Sequence, residues 1–203
     1  MKILVTAFEP FGGDAVNASL VALQSLPDTI AGVSVEKAVI PVVFGRCGDC
    51  LREKIKKSAP DGILCLGMAA GRGQITPEVF AVNARYARGA DNAGVRYDTL
   101  TPCNPDGPAA YRTTLPAEKI VTRLTENSIP ASLSFTAGTY VCNDLFYRLM
   151  SAAQVPAGFI HVPQSAEEAP ASGRPEGRAA MPQEQISTGV RLAAEVLAEM
   201  LQR

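Results

Sequence analysis

One histidine in 203 residues, His161, narrows the chemistry available to this chain. It closes an apolar run, Ala157-Gly158-Phe159-Ile160-His161-Val162-Pro163, and nineteen residues upstream Cys142 opens a helix-like segment. A single imidazole offers a single general base, and a Cys–His nucleophile–base pair is the leading candidate. Cys142 follows an expected strand, Ser132 to Thr136, and a tight Ala137-Gly138-Thr139 turn. At a helix start the dipole favours thiolate, and unpaired backbone N–H groups stabilise an oxyanion. Strand, turn and helix with the nucleophile at the elbow is a known mechanical solution on α/β folds. The alternative keeps both residues structural: His161 bonded to a backbone carbonyl, Cys142 a small buried side chain.

Such a pair needs a carboxylate to orient the ring. Glu78, Asp91, Asp144 and Glu9 all qualify by type. Glu78 is the most suggestive, because Ile75-Thr76-Pro77-Glu78 leads into an apolar strand after a glycine-rich turn. An ordinary solvated charge is the competing reading. Arg72, Arg85 and Arg88 flank this stretch and offer contacts to a carboxylate or an oxyanion, although arginines are mostly surface residues. Phe8-Glu9-Pro10-Phe11-Gly12-Gly13 lacks both G-x-G-x-x-G and a Walker lysine, so it is not a phosphate loop. Two phenylalanines beside two glycines suit an apolar pocket wall approached closely by backbone; capping the core is the alternative.

The elements that must position these groups alternate between strand and helix. Ile3 to Phe8 reads as a strand, Val16 to Leu26 as a helix with Asn17 or Ser19 near its start, and Val33 to Val43 as a strand. A helix from Arg46 to Ala59 ends at Pro60-Asp61-Gly62, and Gly62 to Gly67 is an unbroken apolar run, the pattern of a strand buried on both faces. Val79 to Tyr86 reads as another strand. Residues 87 to 116 form a long turn-rich excursion, more typical of a functional loop or lid than of a linker. A helix over Ala117 to Asn127 precedes the Cys142 helix, the His161 strand and a C-terminal helix from Gln183 to Arg203. Gln164 to Pro182, rich in Ala, Pro, Gly and Glu, reads as a mobile loop. The expected fold is α/β: one domain over residues 1–203, its mostly parallel sheet covered by helices on both faces. Ligands then bind at the carboxyl ends of strands, where Phe8, Gly67, Ala137 and His161 fall.

Composition agrees. Hydrophobic residues make up 47% and charged residues 19%, as in globular chains, and a net charge of −1 gives no case for nucleic acid or a membrane surface. The opening residues enter a strand pattern without a signal core or transmembrane run, from which a cytoplasmic protein is expected. Five cysteines, Cys47, Cys50, Cys65, Cys103 and Cys142, form no disulfide framework. Cys47-Gly48-Asp49-Cys50 has the spacing of a redox dithiol, but no second pair completes a structural zinc site. Cys65 reads as a small buried hydrophobe.

Long motifs in order give the chain a family resemblance. Thr6-Ala7-Phe8-Glu9-Pro10-Phe11-Gly12-Gly13, Gly71-Arg72, Ile75-Thr76-Pro77-Glu78, Asp91-Asn92-Ala93-Gly94, Ser134 to Asn143 and Gly158 to Pro163 together resemble pyroglutamyl-peptidase I, the pyrrolidone-carboxylate peptidases. The resemblance implies a three-layer α/β/α sandwich and a cytosolic cysteine peptidase that removes N-terminal pyroglutamate without metal or organic cofactor. It also implies a homotetramer or homodimer. Carried over by position, Cys142 is the nucleophile, His161 the general base and Glu78 its orienting carboxylate. Arg88 joins the nucleophile's N–H in the oxyanion hole, and Phe8 and Phe11 hold the lactam ring.

Four positions depart from the family pattern. Met68 stands where a glutamine is usual, Arg85 and Tyr86 replace acidic residues, Gln164-Ser165-Ala166-Glu167-Glu168 replaces an aromatic-x-Pro-Glu-Gln run, and Val42 stands for a frequent threonine. Two other functions therefore stand beside the first. One is a cysteine amidohydrolase whose altered rim takes another blocked amide; the other is a catalytically silent lactam-binding protein.

Overall fold

Residues 1–168 and 179–203 are described by the structure, a computed structural model. The described residues build a six-stranded sheet in the order β2-β3-β1-β4-β10-β5. Its centre is parallel: β1 (Lys2–Phe8), β3 (Val33–Ile40), β4 (Gly62–Met68) and β10 (Ala157–Val162). Two short antiparallel strands, β2 (Thr29–Ile30) and β5 (Thr76–Pro77), close the edges. The expected α/β architecture is the one observed.

Side chains of these strands alternate between two cores, as the period of two requires. Leu64, Leu66 and Met68 enter one core with Ile160 and Val162, beneath α1 (Ala18–Ser25), α3 (Ala117–Glu126) and α5 (Gln183–Leu201). Leu4, Phe8, Ile63, Cys65 and Phe159 enter the other, beneath α2 (Arg46–Ser58) and α4 (Val141–Ala152). Every residue of β4 is buried, which is why its sequence is an uninterrupted apolar run. Asn17 caps α1, its side-chain oxygen accepting the Ser19 N–H at 3.0 Å.

Two expectations need correction. Ser132 to Thr136 is not a strand of the sheet; it runs extended past β5, touching it through bridges at Ala131 and Ser134. Val79 to Tyr86 is two short strands, β6 (Phe80–Val82) and β7 (Arg85–Ala87), which leave the main sheet. They pair with β9 (Ala110–Arg112) and β8 (Tyr97–Thr101), so the turn-rich excursion is a pair of small antiparallel ribbons. The expected mobile loop lies largely outside the described residues. Its described ends are joined, Met181 donating to the Gln164 carbonyl at 3.1 Å and Ala166 to that of Met181 at 2.9 Å.

Gly158 shows how tightly β10 is held. A Cβ there would lie 2.1 Å from Thr113 Oγ1 and 2.8 Å from Leu115 Cδ1. Gly158→Ala is expected to destabilise the protein by about 1–3 kcal/mol, read from urea unfolding. An unchanged midpoint would mean that the 113–115 segment yields freely.

Candidate active site

The strand ends bring the chemistry together in one row. Phe8 pairs with Ile40, and His161 pairs with Gly67 on one side and Thr76 on the other. His161 and Phe159 point to the α4 face of the sheet, their rings 4.9 Å apart. Just past the edge strand the Glu78 N–H bonds the Phe159 carbonyl at 2.9 Å, which sets its side chain on that same face. The result is a buried contact: His161 Nδ1 lies 2.7 Å from Glu78 Oε1. With Nδ1 bonded to the carboxylate, Nε2 is the nitrogen left for proton transfer.

Gly67 leaves the space above the row in which the thiol sits. A Cβ on it would fall 3.2 Å from Cys142 Sγ and 2.7 Å from the Phe159 ring. Cys142 is the second residue of α4, so its N–H belongs to the first turn, where the helix supplies no partner. Asn143 and Asp144 instead donate back to the Tyr140 carbonyl, at 3.0 and 3.2 Å.

Electrostatics in this pocket run against a resting thiolate. Burial and the Glu78 charge push the Cys142 thiol up to about 12, with Arg72 and its own N–H pulling the other way. Burial also lowers His161 below the ordinary imidazole range, assisted by Arg72 and opposed by Glu78. Burial alone would raise Glu78, but His161, Ser134 and Arg72 together hold it below the usual carboxylate range. These directions favour a neutral thiol beside a neutral imidazole and an ionised carboxylate.

The other candidate carboxylates have structural duties. Glu9 Oε1 accepts the Val42 N–H at 3.0 Å and the Asn92 amide at 2.8 Å, tying the Phe8–Gly13 loop to the end of β3. Asp91 is buried and accepts N–H groups of Phe44, Ala93 and Val95. Asp144 accepts the Gly45 N–H at 2.8 Å and a two-nitrogen grip from Arg85, at 2.9 and 2.6 Å. Arg148 adds a third cationic contact at 3.1 Å. Arg85 thus has a buried partner two residues beyond Cys142.

Arg88 is exposed just past β7. Tyr86 bonds Thr139 through both N–H and carbonyl, at 3.1 and 2.6 Å, so this strand runs against the turn that leads into Cys142. Phe8 is buried with its ring 6.3 Å from Phe159, and Phe11 is half-buried, 6.3 Å from the Tyr140 ring. Met68 turns its side chain into the opposite core, away from Cys142, where it also lines a hollow with Gly13, Gln164 and Ser165. Val42 lies in the core, and its backbone meets Glu9 and Asn92. Cys47 is buried beside Asp144, and burial raises its thiol, the reverse of an activated redox dithiol.

Two residues near Cys142 were not singled out by sequence. Tyr140 packs edge-on to Phe44, with centroids 5.4 Å apart, and donates to the Ala90 carbonyl at 2.9 Å. Asn143 is fully buried and clasps Val82 and Ala84 at their backbones. The advance signal for Asn143 was a polar side chain in the first turn of the helix.

An α/β/α sandwich with a thiol at a helix start and an imidazole–carboxylate pair at adjoining strand ends has the layout of a cysteine hydrolase. Comparison with known proteins narrows this. The family model described as pyroglutamyl peptidase matches residues 1–200, and the chain belongs to that family. A pyrrolidone-carboxylate peptidase of Streptococcus pyogenes is 43% identical over 173 residues, 83% of this chain and 80% of its own. One from Streptococcus suis is 41% identical over 204 residues, 98% of this chain and 93% of its own. Among solved structures, pyroglutamyl peptidase I from Bacillus amyloliquefaciens superposes with a TM-score of 0.91 at 40% identity, covering 97% of this chain and 94% of its own. Pyrrolidone carboxyl peptidase from the hyperthermophile Pyrococcus furiosus gives 0.91 at 37%, covering 99% and 100%.

The Asp144 cluster yields a stability prediction. Burial alone would raise this carboxyl, but the Gly45 N–H and the charges of Arg85 and Arg148 hold it below its ordinary range. It therefore contributes stability that is present above the unfolded value, near 4, and is lost as pH falls through the lower folded value. Arg85→Met should cost about 3 kcal/mol at pH 7, measured by chemical denaturation, and the double variant with Asp144→Leu should recover part of that. A single-variant loss below about 1 kcal/mol, the range of exposed pairs, would contradict the buried-pair account.

Proposed function

We propose that the chain hydrolyses the amide bond after an N-terminal pyroglutamate, with Cys142 as nucleophile, His161 as general base and Glu78 as its orienting carboxylate. One observation carries the assignment: Glu78 Oε1 and His161 Nδ1 meet at 2.7 Å on the row above which Cys142 Sγ sits. Family membership supports the reaction and the substrate class.

In the first half-reaction the Cys142 proton moves to His161 Nε2 as sulfur attacks the lactam-bearing acyl carbon. Charge on the oxygen is met by the Cys142 N–H and by Arg88, which follows β7, the strand whose Tyr86 bonds the turn before Cys142. The carbon–nitrogen bond breaks, the leaving amine takes the proton from Nε2, and a thioester remains. Water, deprotonated by His161, then attacks the thioester, and the thiol regains its proton. Glu78 stays ionised throughout, holding the ring and stabilising the transient imidazolium. The lactam is uncharged and lacks a free amine, so the half-buried rings of Phe11 and Tyr140, 6.3 Å apart, offer it apolar contact. The same reading carries a single domain over 1–203, a cytoplasmic setting and a homodimer or homotetramer, which sedimentation would size.

The test is release of coumarin from a pyroglutamyl-coumarin amide. Cys142→Ser and His161→Ala should abolish turnover; binding of 2-pyrrolidone with no hydrolysis by the unaltered protein would favour the silent lactam binder. Activity needs neutral imidazole, and the His161 value is lowered, so the acid limb of kcat/KM should lie below the ordinary pH 6.5. Glu78→Gln removes the charge that favours imidazolium. It should shift this limb to still lower pH while cutting kcat by about 10²–10⁴.

A further inference from the structure

Arg72 occupies the loop between β4 and β5, beside the proposed triad. Its Nη1 lies 2.6 Å from Glu78 Oε1, the same oxygen that meets His161 Nδ1. Nη1 also reaches Thr76 Oγ1, and Nη2 reaches the Thr136 carbonyl at 3.4 Å, on the segment that leads into Cys142. One guanidinium therefore bridges the strand that carries the carboxylate and the approach to the nucleophile. Its partner is completely buried while its own side chain is 29% exposed, so the pair lies between the core and the surface.

We infer that Arg72 is a positioning residue of this site, fixing the Glu78 carboxylate and limiting how much of its charge reaches the His161 ring. The inference rests on the triad reading above. A carboxylate that served the imidazole alone would hold it strongly toward the protonated form, which is useless as a base. A cation on the shared oxygen offsets that pull while leaving the hydrogen bond in place. The groups that face Glu78 are His161 from β10, Cys142 from α4, Arg72 from the loop and Ser134 from the extended segment. Arg72 is the one permanent cation among them. Its charge lowers both His161 and Cys142, so its loss should raise both. This direction is opposite to that expected for Glu78→Gln.

A shallow hollow lined by Gly71, Gln74, Leu133 and Ser134 opens beside Arg72, so contact with the leaving peptide is the rival role. The two separate cleanly in kinetics. Arg72→Met should lower kcat about tenfold or more with KM within about twofold, and should move the acid limb of kcat/KM up by about one pH unit. Arg72→Lys keeps the charge without the planar fork, so it should leave the limb in place and recover only part of kcat. A raised KM with unchanged kcat would overturn the inference in favour of substrate contact. A fall in kcat with the limb unmoved in Arg72→Met would overturn it in favour of a purely structural role.

A second readout needs no turnover. Iodoacetamide labelling of Cys142, followed by peptide mass at pH 9, should be several-fold slower in Arg72→Met, because less thiolate is present. Equal labelling rates would overturn the inference. Should the unaltered protein leave the pyroglutamyl substrate intact, the function above fails while the labelling comparison still decides the role of Arg72. If Arg72→Met does not fold, Arg72→Lys decides: reduced kcat with an unmoved limb supports the inference, and full wild-type kinetics overturns it.

Discussion

The contact between His161 and Glu78 is the constraint around which the carboxyl ends of the sheet are arranged. A charged carboxylate with no exposed surface is costly unless it is paired and hydrogen-bonded. Here the pairing is enforced by backbone: β5 lies antiparallel to β10, and Glu78 donates its N–H to Phe159 just beyond the strand. The short edge strand of two residues thus has a purpose beyond closing the sheet. It delivers one carboxylate to one imidazole on a chosen face.

Placement of the thiol depends on a different set of forces. Cys142 is held by the start of α4, and that start is fastened by polar groups rather than by apolar packing alone. Asn143 grips the backbone of β6 and the turn after it, and Asp144 gathers Gly45, Arg85 and Arg148. Buried polar networks of this kind are stable only when fully satisfied, and they fix geometry more sharply than hydrocarbon does. Both sit directly after Cys142 in sequence. The helix start is consequently indexed to α2 and to the ribbons at the same time.

Legibility in sequence followed the range of the forces involved. Alternation of apolar runs with helical stretches reveals the strands and helices of the sandwich, because burial on both faces leaves a mark in every residue of a strand such as β4. Cys142 and His161 were visible as chemistry from residue type and from their places at a helix start and a strand end. Choosing Glu78 over Glu9, Asp91 and Asp144 was not possible from spacing, since each carboxylate lies far in sequence from the groups it meets; family resemblance supplied the choice. The segment 132–136 misled because β-branched and aromatic residues suit any extended chain, whether or not it joins a ladder. The pairing of Arg85 with Asp144, 59 residues apart, had no local signature at all.

Gly67 and Met68 illustrate how differently neighbouring positions on one strand respond to change. The first must remain bare, since any side chain would press on the Phe159 ring and displace the sulfur of Cys142. The second faces the opposite core, where it packs among apolar side chains such as Leu66 and Val162. Sequence drift along β4 is thus tolerated with the period of the pleat: one face carries the register of the chemistry, the other only its support. Met68 lies on the face that supports the site from below, and the face that bounds the thiol begins one residue earlier, at Gly67.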